Sequence, residues 1–389
     1  MAPNLDRPKA ARWRCLCLCV QELKVKKKKK IIVVAGARPN FMKIAHLVQR
    51  LKKDRSVDCR LVHTGQHYDF GLSEVFFRDL RIPKPDIFLN VGSASHAEQT
   101  ARIMTAFEAV LLDQGPDLVV VAGDVNSTAA CALTAAKLNI DVAHIESGLR
   151  SFDRTMPEEI NRIVTDAVAS YHLVTEQSGV ENLIREGADK KRVFLIGNTM
   201  IDPLAAAMKQ IDRSKVLRQL GLKPQSYGVL TLHRPANVDT AESLDSVIDI
   251  LEPICERITV VYPIHPRTRE SVRKHGRLKK LEAIGGLKLI EPLGYIDFIK
   301  LVKESRFVLT DSGGIQEEST WLRVPCLTVR DNTERPSTVD LGTNKLVGRN
   351  KAAIVNAVEQ ILSSRWKNGR VPKLWDGHAT ERILKVILR

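Results

Sequence analysis

The stretch Asp311-Ser-Gly-Gly-Ile-Gln-Glu-Glu318 joins a predicted strand to a predicted helix. The apolar run Phe307-Val-Leu-Thr310 before it is typical of a buried strand, and residues Ile315 to Leu322 are predicted to be helical. The two glycines therefore lie at a strand-to-helix turn, where a backbone without Cβ atoms can approach a phosphate and free N–H groups point at it. Glu318 lies about one turn into the helix, within reach of a ribose diol. The stretch favours a nucleotide site over an ordinary glycine turn.

Strand and helix patterns alternate on both sides of this stretch. The first series of predicted strands is Ile31–Ala35, Cys59–Thr64, Leu118–Ala122, Val142–Ile145, Tyr171–Val174 and Val193–Ile196. The second series is Gly228–Leu232, Ile258–Tyr262, Leu287–Leu289, Phe307–Thr310 and Cys326–Val329. Alternation of strands with helices predicts parallel sheets, and two series predict two doubly wound, Rossmann-like α/β domains. Ligands bind beyond the carboxyl ends of such strands, so the two domains should face one cleft.

Composition and charge exclude several classes of protein. The chain has 389 residues, 44% of them hydrophobic, and no run approaches the ~18 apolar residues that span a bilayer. Residues 1–30 hold ten Lys or Arg against two acids, which is +8 of the net charge of +15. We therefore expect a basic tail, no membrane insertion and no nucleic-acid partner for the folded body. The seven cysteines show neither zinc spacing nor a disulfide framework, and they predict reduced thiols in a cytoplasm.

Charged side chains follow the predicted strands of the first domain where those strands end. Arg38 and Lys43 follow the first strand without a G-x-G-x-x-G pattern, so they favour a diphosphate over a nicotinamide dinucleotide. Asp124 and Glu146 follow the strands Leu118–Ala122 and Val142–Ile145. Either acid alone is explained by a helix cap or a salt bridge. Two acids at successive strand ends, facing a phosphate site, favour proton transfer.

A loop after Glu146 is predicted to add two more acids, Glu158 and Glu159. The second domain offers a mainly basic set of residues in return. His233 and Arg234 follow its first strand, and Arg335 follows its last one. A basic half of the cleft thus faces an acidic half, which is what a sugar nucleotide requires.

A series of sequence motifs runs from about Lys30 to the C-terminus. The first-half motifs are Gly36-Ala-Arg-Pro-Asn-Phe-Met-Lys43, Thr64-Gly-Gln-His67, Gly123-Asp124, His144-Ile-Glu-Ser-Gly-Leu-Arg150, Met156-Pro-Glu-Glu-Ile-Asn-Arg162 and Gly197-Asn-Thr-Met-Ile-Asp202. The second-half motifs are His233-Arg234, Asp311–Glu318 and Arg330-Asp-Asn-Thr-Glu-Arg-Pro336. In these motifs the chain resembles the non-hydrolysing UDP-N-acetylglucosamine 2-epimerases. The resemblance implies two Rossmann-like domains of the glycosyltransferase-B type. It also implies a homodimer that interconverts UDP-GlcNAc and UDP-ManNAc, without nicotinamide or metal, by eliminating and re-adding UDP.

The resemblance assigns roles to individual residues. The acid/base residues it implies are Asp124, Glu146 and Glu158, with His233 assisting the leaving group. Nucleotide contacts are implied for Arg38, Lys43, Phe298, Ser312, Gly313, Gly314, Glu318 and Arg335. With the basic tail and the two strand–helix series, we expect four parts of the chain. They are a tail at 1–30, an N-terminal domain at 31–203, a UDP-binding domain at 204–370 and, at 371–389, a C-terminal helix packing back on the N-terminal domain.

Departures from the family pattern leave alternatives open. Gln66, His67 and Arg102 match a regulatory UDP-GlcNAc site of some bacterial members, but Asp69 replaces an expected Gln, so allosteric activation does not follow. Parts of the first domain also resemble a sister branch that epimerises a UDP-linked diacetamido-uronic acid. Hydrolysing epimerases, which release ManNAc and UDP, carry G-T-R-A-D-x-G-K where this chain has Gly36–Lys43. A glycosyltransferase shares the fold but would leave Glu146 without a role.

Overall fold

A computed structural model of the chain describes residues 28–65 and 83–389, and its first half is built on a parallel sheet. The strands of this sheet are β1 (Lys29–Ala35), β2 (Val57–His63), β3 (Ile87–Phe88), β4 (Leu118–Ala122), β5 (Asp141–Ile145), β6 (Tyr171–Val174) and β7 (Val193–Leu195). Their spatial order is β3-β2-β1-β4-β5-β6-β7, so the winding reverses between β1 and β4. A ligand site is expected at that reversal point.

Helices cover both faces of the first sheet. They are α1 (Arg38–Lys53), α2 (His96–Gln114), α3 (Asn126–Lys137), α4 (Pro157–Val168) and α5 (Gln177–Arg185). Alternate residues of β1 enter two separate apolar clusters, with Ile31 and Val33 in one and Ile32 and Val34 in the other. This alternation follows from the two-residue period of a strand, and it explains why β1 is apolar throughout.

The second half repeats this architecture. Its strands are β8 (Tyr227–Thr231), β9 (Thr259–Pro263), β10 (Leu287–Ile290), β11 (Phe307–Thr310), β12 (Cys326–Thr328) and β13 (Asn344–Leu346), in the parallel order β10-β9-β8-β11-β12-β13. The helices are α6 (Ile201–Arg213), α7 (Val216–Gln219), α8 (Pro235–Val238), α9 (Ala241–Cys255), α10 (Pro266–Lys274), α11 (Leu278–Glu282), α12 (Tyr295–Lys303), α13 (Gly313–Leu322), α14 (Pro336–Asp340), α15 (Lys351–Leu362) and α16 (Ala379–Ile387). The winding reverses between β8 and β11.

The last helix, α16, returns to the first half of the chain. Ala379 and Ile387 belong to the apolar cluster that contains β1 and α1. The Asp202 carboxylate accepts hydrogen bonds from the backbone N–H groups of Ala379 (3.1 Å) and Thr380 (2.7 Å), which caps the start of α16. Lys29 Nζ donates to the carbonyl oxygen of Ile387 at 2.8 Å. These contacts join the two ends of the described chain.

The predicted fold class is confirmed, with differences in the start of β1 and at the sheet edges. β1 begins at Lys29, two residues before the predicted strand, so Lys29 and Lys30 belong to the sheet; residues 1–27 of the predicted tail lie outside the described residues. The short edge strands β3 and β13 were not predicted, because two or three residues form no apolar run. Cys59, Cys131, Cys255 and Cys326 are buried and free, as predicted. No described helix has the length and apolar character needed to cross a membrane.

Candidate active site

The carboxyl ends of β4 and β5 carry two of the predicted acids. Gly123 and Asp124 follow β4, and Glu146 follows β5. Glu146 has a φ of +72°, a left-handed conformation that is costly for a residue with a Cβ. Such strain is kept where the surrounding structure holds it, commonly at functional sites. Gly123 has a φ of +70°, which favours glycine, and a Cβ there would lie 2.6 Å from Lys43 Nζ.

Glu146 is the centre of a buried ion-pair cluster. Its Oε2 lies 2.6 Å from Lys43 Nζ, and its Oε1 lies 3.1 Å from Arg335 Nη2 of the second domain. Burial alone would raise the pKa of the Glu146 carboxyl, but Arg335 and Lys43 outweigh that effect and hold the pKa below its usual value. The carboxylate is therefore ionised at neutral pH, as a base must be.

Asp124 is held by a different cation. Arg162 Nη2 and Nε lie 2.8 and 3.1 Å from Asp124 Oδ2, a geometry suited to a guanidinium. Burial acts to raise the pKa of Asp124, while Arg162 and Lys43 lower it, with a net lowering. Two ionised carboxylates, Asp124 and Glu146, thus stand at neighbouring strand ends and interact electrostatically.

Glu158 and Glu159 lie in the first turn of α4, which corrects the prediction that they belong to a loop. Glu159 is buried, and its carboxylate accepts hydrogen bonds from the backbone N–H groups of Ser151 and Phe152 and from Arg162 Nη1 (2.5 Å). Glu159 is therefore a structural residue that shapes the loop before α4. Glu158 is half-buried and interacts electrostatically with Arg234 of the second domain, so it faces the cleft.

A buried scaffold that the sequence did not reveal supports these strand ends. His144 lies between two acceptors, with Nδ1 2.6 Å from Asp166 Oδ1 and Nε2 2.8 Å from the carbonyl oxygen of Gly123. Asp166 also forms an ion pair with Arg150 (2.8 Å) and accepts a hydrogen bond from the backbone N–H of Gly148. Burial opposes ionisation of Asp166, but His144 and Arg150 lower its pKa. This network ties the loops after β4 and β5 to α4.

In the second domain, the ends of β8 and β11 meet. His233 follows β8, and its Nδ1 lies 2.8 Å from Oδ1 of Asp311, which follows β11. The His233 side chain is 52% exposed, whereas that of Asp311 is fully buried. The predicted catalytic histidine is therefore accessible and held in place from behind. Burial and the neighbouring Arg330 lower the pKa of Arg234, the next residue in the chain.

The glycine turn within Asp311–Glu318 begins α13. Ser312 is the N-cap residue, and Gly313 and Gly314 form the first turn. A Cβ at Gly313 would lie 2.8 Å from Glu334 Oε1, so a side chain there would have to displace the Glu334 carboxylate. Glu318, one turn further along, is buried and accepts a hydrogen bond from the Tyr295 hydroxyl at 3.0 Å. The turn thus presents backbone N–H groups at a helix N-terminus, as predicted for an anion site.

Phe298 lies on α12, the helix that begins at Tyr295. Its ring is half-buried and packs against the apolar clusters of both halves of the molecule. This packing gives Phe298 a core role, in addition to the place beside a uridine that the resemblance implies.

Arg335 joins the two domains. Besides its contact with Glu146, its Nε lies 2.9 Å from Glu317 Oε1, and Glu317 accepts a hydrogen bond from Asn198 Nδ2 of the first half at 2.7 Å. Burial raises the pKa of the Glu317 carboxyl to about 7, with Arg335 opposing the rise. Arg335 Nη1 is a buried donor without a protein partner. In this structure Arg335 thus binds carboxylates of both domains.

Other predicted site residues lie apart from this cluster or beyond the described atoms. Arg38 is the first residue of α1, but its side chain is not among those described. Gln66 and His67 lie outside the described residues. Arg102, on α2, is exposed and pairs with Glu98 one turn before it at 2.5 Å. The structure therefore unites Lys43, Asp124, Glu146 and Arg335, places Glu158 and His233 on the same cleft, and leaves Arg102 apart.

Two doubly wound domains, with carboxylates on one side of a cleft and a glycine turn on the other, define an enzyme of the nucleotide-sugar class. The family model of UDP-N-acetylglucosamine 2-epimerase matches residues 49–388. The chain therefore belongs to the UDP-N-acetylglucosamine 2-epimerase family, which confirms the resemblance seen in the sequence.

Two relatives and one solved structure illustrate this similarity. The chain is 41% identical to the UDP-N-acetylglucosamine 2-epimerase of Methanocaldococcus jannaschii over 362 residues, 91% of this chain and 98% of that protein. A crystal structure of the enzyme from that organism, in complex with UDP-GlcNAc and UDP, matches with a TM-score of 0.84 and covers 92% of this chain and 99% of its own. The UDP-2,3-diacetamido-2,3-dideoxy-D-glucuronate 2-epimerase of Pseudomonas aeruginosa is 40% identical over 336 residues, 85% of this chain and 92% of that protein.

Proposed function

We propose that this protein interconverts UDP-N-acetylglucosamine and UDP-N-acetylmannosamine by inverting C2 of the sugar. The observation that carries the proposal is the buried cluster of Lys43, Glu146 and Arg335, which holds an ionised carboxylate between the two domains with Asp124 nearby. Family membership and the similarity to enzymes named for this substrate support the same reaction. The protein is accordingly an isomerase.

The first half of the reaction is an elimination. An ionised carboxylate accepts the proton from C2, the electrons of the C2–H bond form a C1–C2 double bond, and the C1–O bond breaks with its electrons leaving on UDP. Asp124 and Glu146 suit the basic role because nearby cations hold both carboxyl groups ionised. In the second half UDP adds back to the 2-acetamidoglucal and a proton is delivered to the opposite face of C2, for which Glu158 offers a further carboxyl group.

Departure of UDP places negative charge on a diphosphate oxygen. The N-terminus of α13 and the exposed His233 ring both follow strands of the second domain, and we place the departing UDP beside them. Backbone N–H groups and a protonated imidazole stabilise such charge more in the transition state than in the bound substrate. We assign nucleotide binding to this side, with Ser312, Gly313, Gly314, Glu318, Phe298 and Arg335 as the contacting residues.

We also propose that the protein acts as a cytoplasmic homodimer, as the resemblance implies. The buried free thiols of Cys59, Cys131, Cys255 and Cys326 suit a reducing compartment. Light scattering of the purified full chain at several concentrations tests the assembly, and a stable monomer at all concentrations would contradict it.

The decisive experiment follows solvent hydrogen into the product. The full chain is incubated with UDP-GlcNAc in D2O and the sugar is examined by NMR, with Glu146→Gln as the matched inactive control. The expected product is UDP-ManNAc that carries deuterium at C2, with small amounts of UDP and 2-acetamidoglucal on long incubation. Product that keeps its original C2 hydrogen would exclude this mechanism and the roles of Asp124, Glu146 and Glu158.

Two other outcomes would point to other activities. Free ManNAc released together with stoichiometric UDP would indicate a hydrolysing epimerase. Turnover of a UDP-linked 2,3-diacetamido-glucuronate, with UDP-GlcNAc left unchanged, would indicate the activity named for the Pseudomonas aeruginosa relative. The two UDP-sugars should therefore be assayed side by side.

A further inference from the structure

Asp311 lies where the second sheet reverses its winding, between the turns that follow β8 and β11. Its Oδ2 accepts hydrogen bonds from the backbone N–H groups of His233 (3.0 Å) and Arg234 (2.9 Å) and from Asn237 Nδ2 (2.9 Å). Its Oδ1 lies 3.2 Å from the His233 backbone nitrogen and 2.8 Å from the ring nitrogen Nδ1. One buried carboxylate thus holds both the backbone and the ring of His233.

This geometry determines the tautomer of His233. Burial acts to raise the pKa of Asp311, but His233, Asn237 and the N–H of Arg234 lower it, and the carboxyl group is ionised at neutral pH. An ionised carboxylate only accepts hydrogen bonds, so Nδ1 of the ring must carry the hydrogen. Nε2 is then the ring nitrogen that exchanges protons with a ligand in the cleft, because the other nitrogen is occupied.

We propose that Asp311 is a positioning residue for the reaction: it holds His233 in the tautomer with hydrogen on Nδ1 and stabilises the imidazolium. The imidazolium gives its Nε2 proton to the departing diphosphate oxygen and takes it back when UDP re-adds. This inference rests on the proposed function, since it assigns His233 to the leaving group. The sequence motif containing Asp311 pointed instead to the phosphate turn that follows it.

The variant Asp311→Asn tests the proposal because it keeps the shape of the side chain. The amide oxygen can replace Oδ2 as the acceptor of the three amide hydrogen bonds, and its NH2 group then faces Nδ1 of His233. An NH2 group donates, so the ring must move its hydrogen to Nε2. We expect turnover to fall by about 10²- to 10⁴-fold, the range seen when a positioned proton donor is lost or held in the wrong tautomer, with little change in KM.

The tautomer itself is measured by NMR of protein labelled with 15N in histidine, using His233→Gln to assign the signal. In the wild type Nδ1 of His233 should be the protonated nitrogen of the neutral ring, and in Asp311→Asn it should be Nε2. This readout does not depend on epimerisation. If the wild type fails to epimerise UDP-GlcNAc, the proposed function fails while the tautomer result still stands.

Asp202→Asn is the matched control. Asp202 is also buried and also accepts hydrogen bonds from two backbone N–H groups, but these belong to the start of α16 and not to the turn that holds His233. It should lower stability while leaving turnover and the His233 tautomer unchanged. The proposal is overturned if the wild-type ring carries its hydrogen on Nε2, a result that does not depend on the folding of Asp311→Asn. It is also overturned if Asp311→Asn loses no more turnover than Asp202→Asn.

Discussion

Replacing Glu146 by Gln removes a negative charge from between two largely buried cations. The side chains of Glu146, Lys43 and Arg335 are only 2%, 9% and 6% exposed. Breaking a buried ion pair by removing one partner costs about 3–5 kcal/mol. Arg335 keeps a second partner in Glu317 at 2.9 Å, so Lys43 bears most of the loss. We therefore expect the free energy of unfolding to fall by about 3 kcal/mol, the lower end of that range.

The same change should lower turnover by at least ~10²-fold, because an amide cannot accept the C2 proton. Gln at position 146 adopts the same left-handed backbone (φ of +72°) as Glu, so backbone strain is equal in both proteins. The differences in stability and turnover therefore report the lost charge. Urea unfolding measures the first, and deuterium incorporation at C2 in D2O measures the second.

Glu186→Gln provides the control for loss of a carboxylate that pairs with a guanidinium elsewhere. Glu186 contacts Arg150 at 2.5 Å, but its side chain is 39% exposed, and Arg150 also pairs with Asp166. We expect a loss of at most ~1 kcal/mol and unchanged turnover. If Glu146→Gln keeps near-normal turnover, or loses no more stability than this control, the role given to Glu146 is wrong.

Three further predictions concern pH, the nucleotide and the N-terminus. The pKa of Glu317 is raised from 4.5 to about 7 in the folded protein, so the folded state binds the proton more tightly, and the contribution of Glu317 to stability is lost as pH rises between these values. Glu317→Gln should remove this contribution from the pH dependence of the free energy of unfolding in urea, and an unchanged pH dependence would refute the assignment. Glu318→Gln should weaken UDP binding by about 1–3 kcal/mol, and Gly313→Val should weaken it more by crowding the turn. If calorimetry shows unchanged UDP affinity for both variants, the turn is not part of the nucleotide site. Deletion of residues 1–27 should leave turnover and melting temperature unchanged. Deletion through Lys30 should lower the melting temperature because β1 begins at Lys29. If the protein that lacks only residues 1–27 were inactive, the prediction that these residues are dispensable would be wrong.

Much of the fold follows from local sequence patterns. Strands β4, β6 and β11 have the predicted bounds, because strands of a parallel sheet that is covered on both faces are rich in apolar residues. The same kind of pattern predicts Asp124 and Glu146 as site residues, since the first polar residue after an apolar strand lies at the ligand-binding edge of the sheet. The edge strands β3 and β13 have no comparable pattern, as they are short and covered on fewer sides.

The pairing of charges was decided only by the tertiary structure. Glu146 meets Arg335, 189 positions later in the chain, and His233 meets Asp311, and no sequence spacing encodes such contacts. Glu158 and Glu159 show most clearly that sequence spacing does not determine side-chain contacts. They are adjacent in sequence, but successive side chains on a helix point roughly 100° apart. Glu159 is therefore buried and holds a loop, while Glu158 faces the cleft, and a sequence alone cannot choose between them before the direction of α4 is known.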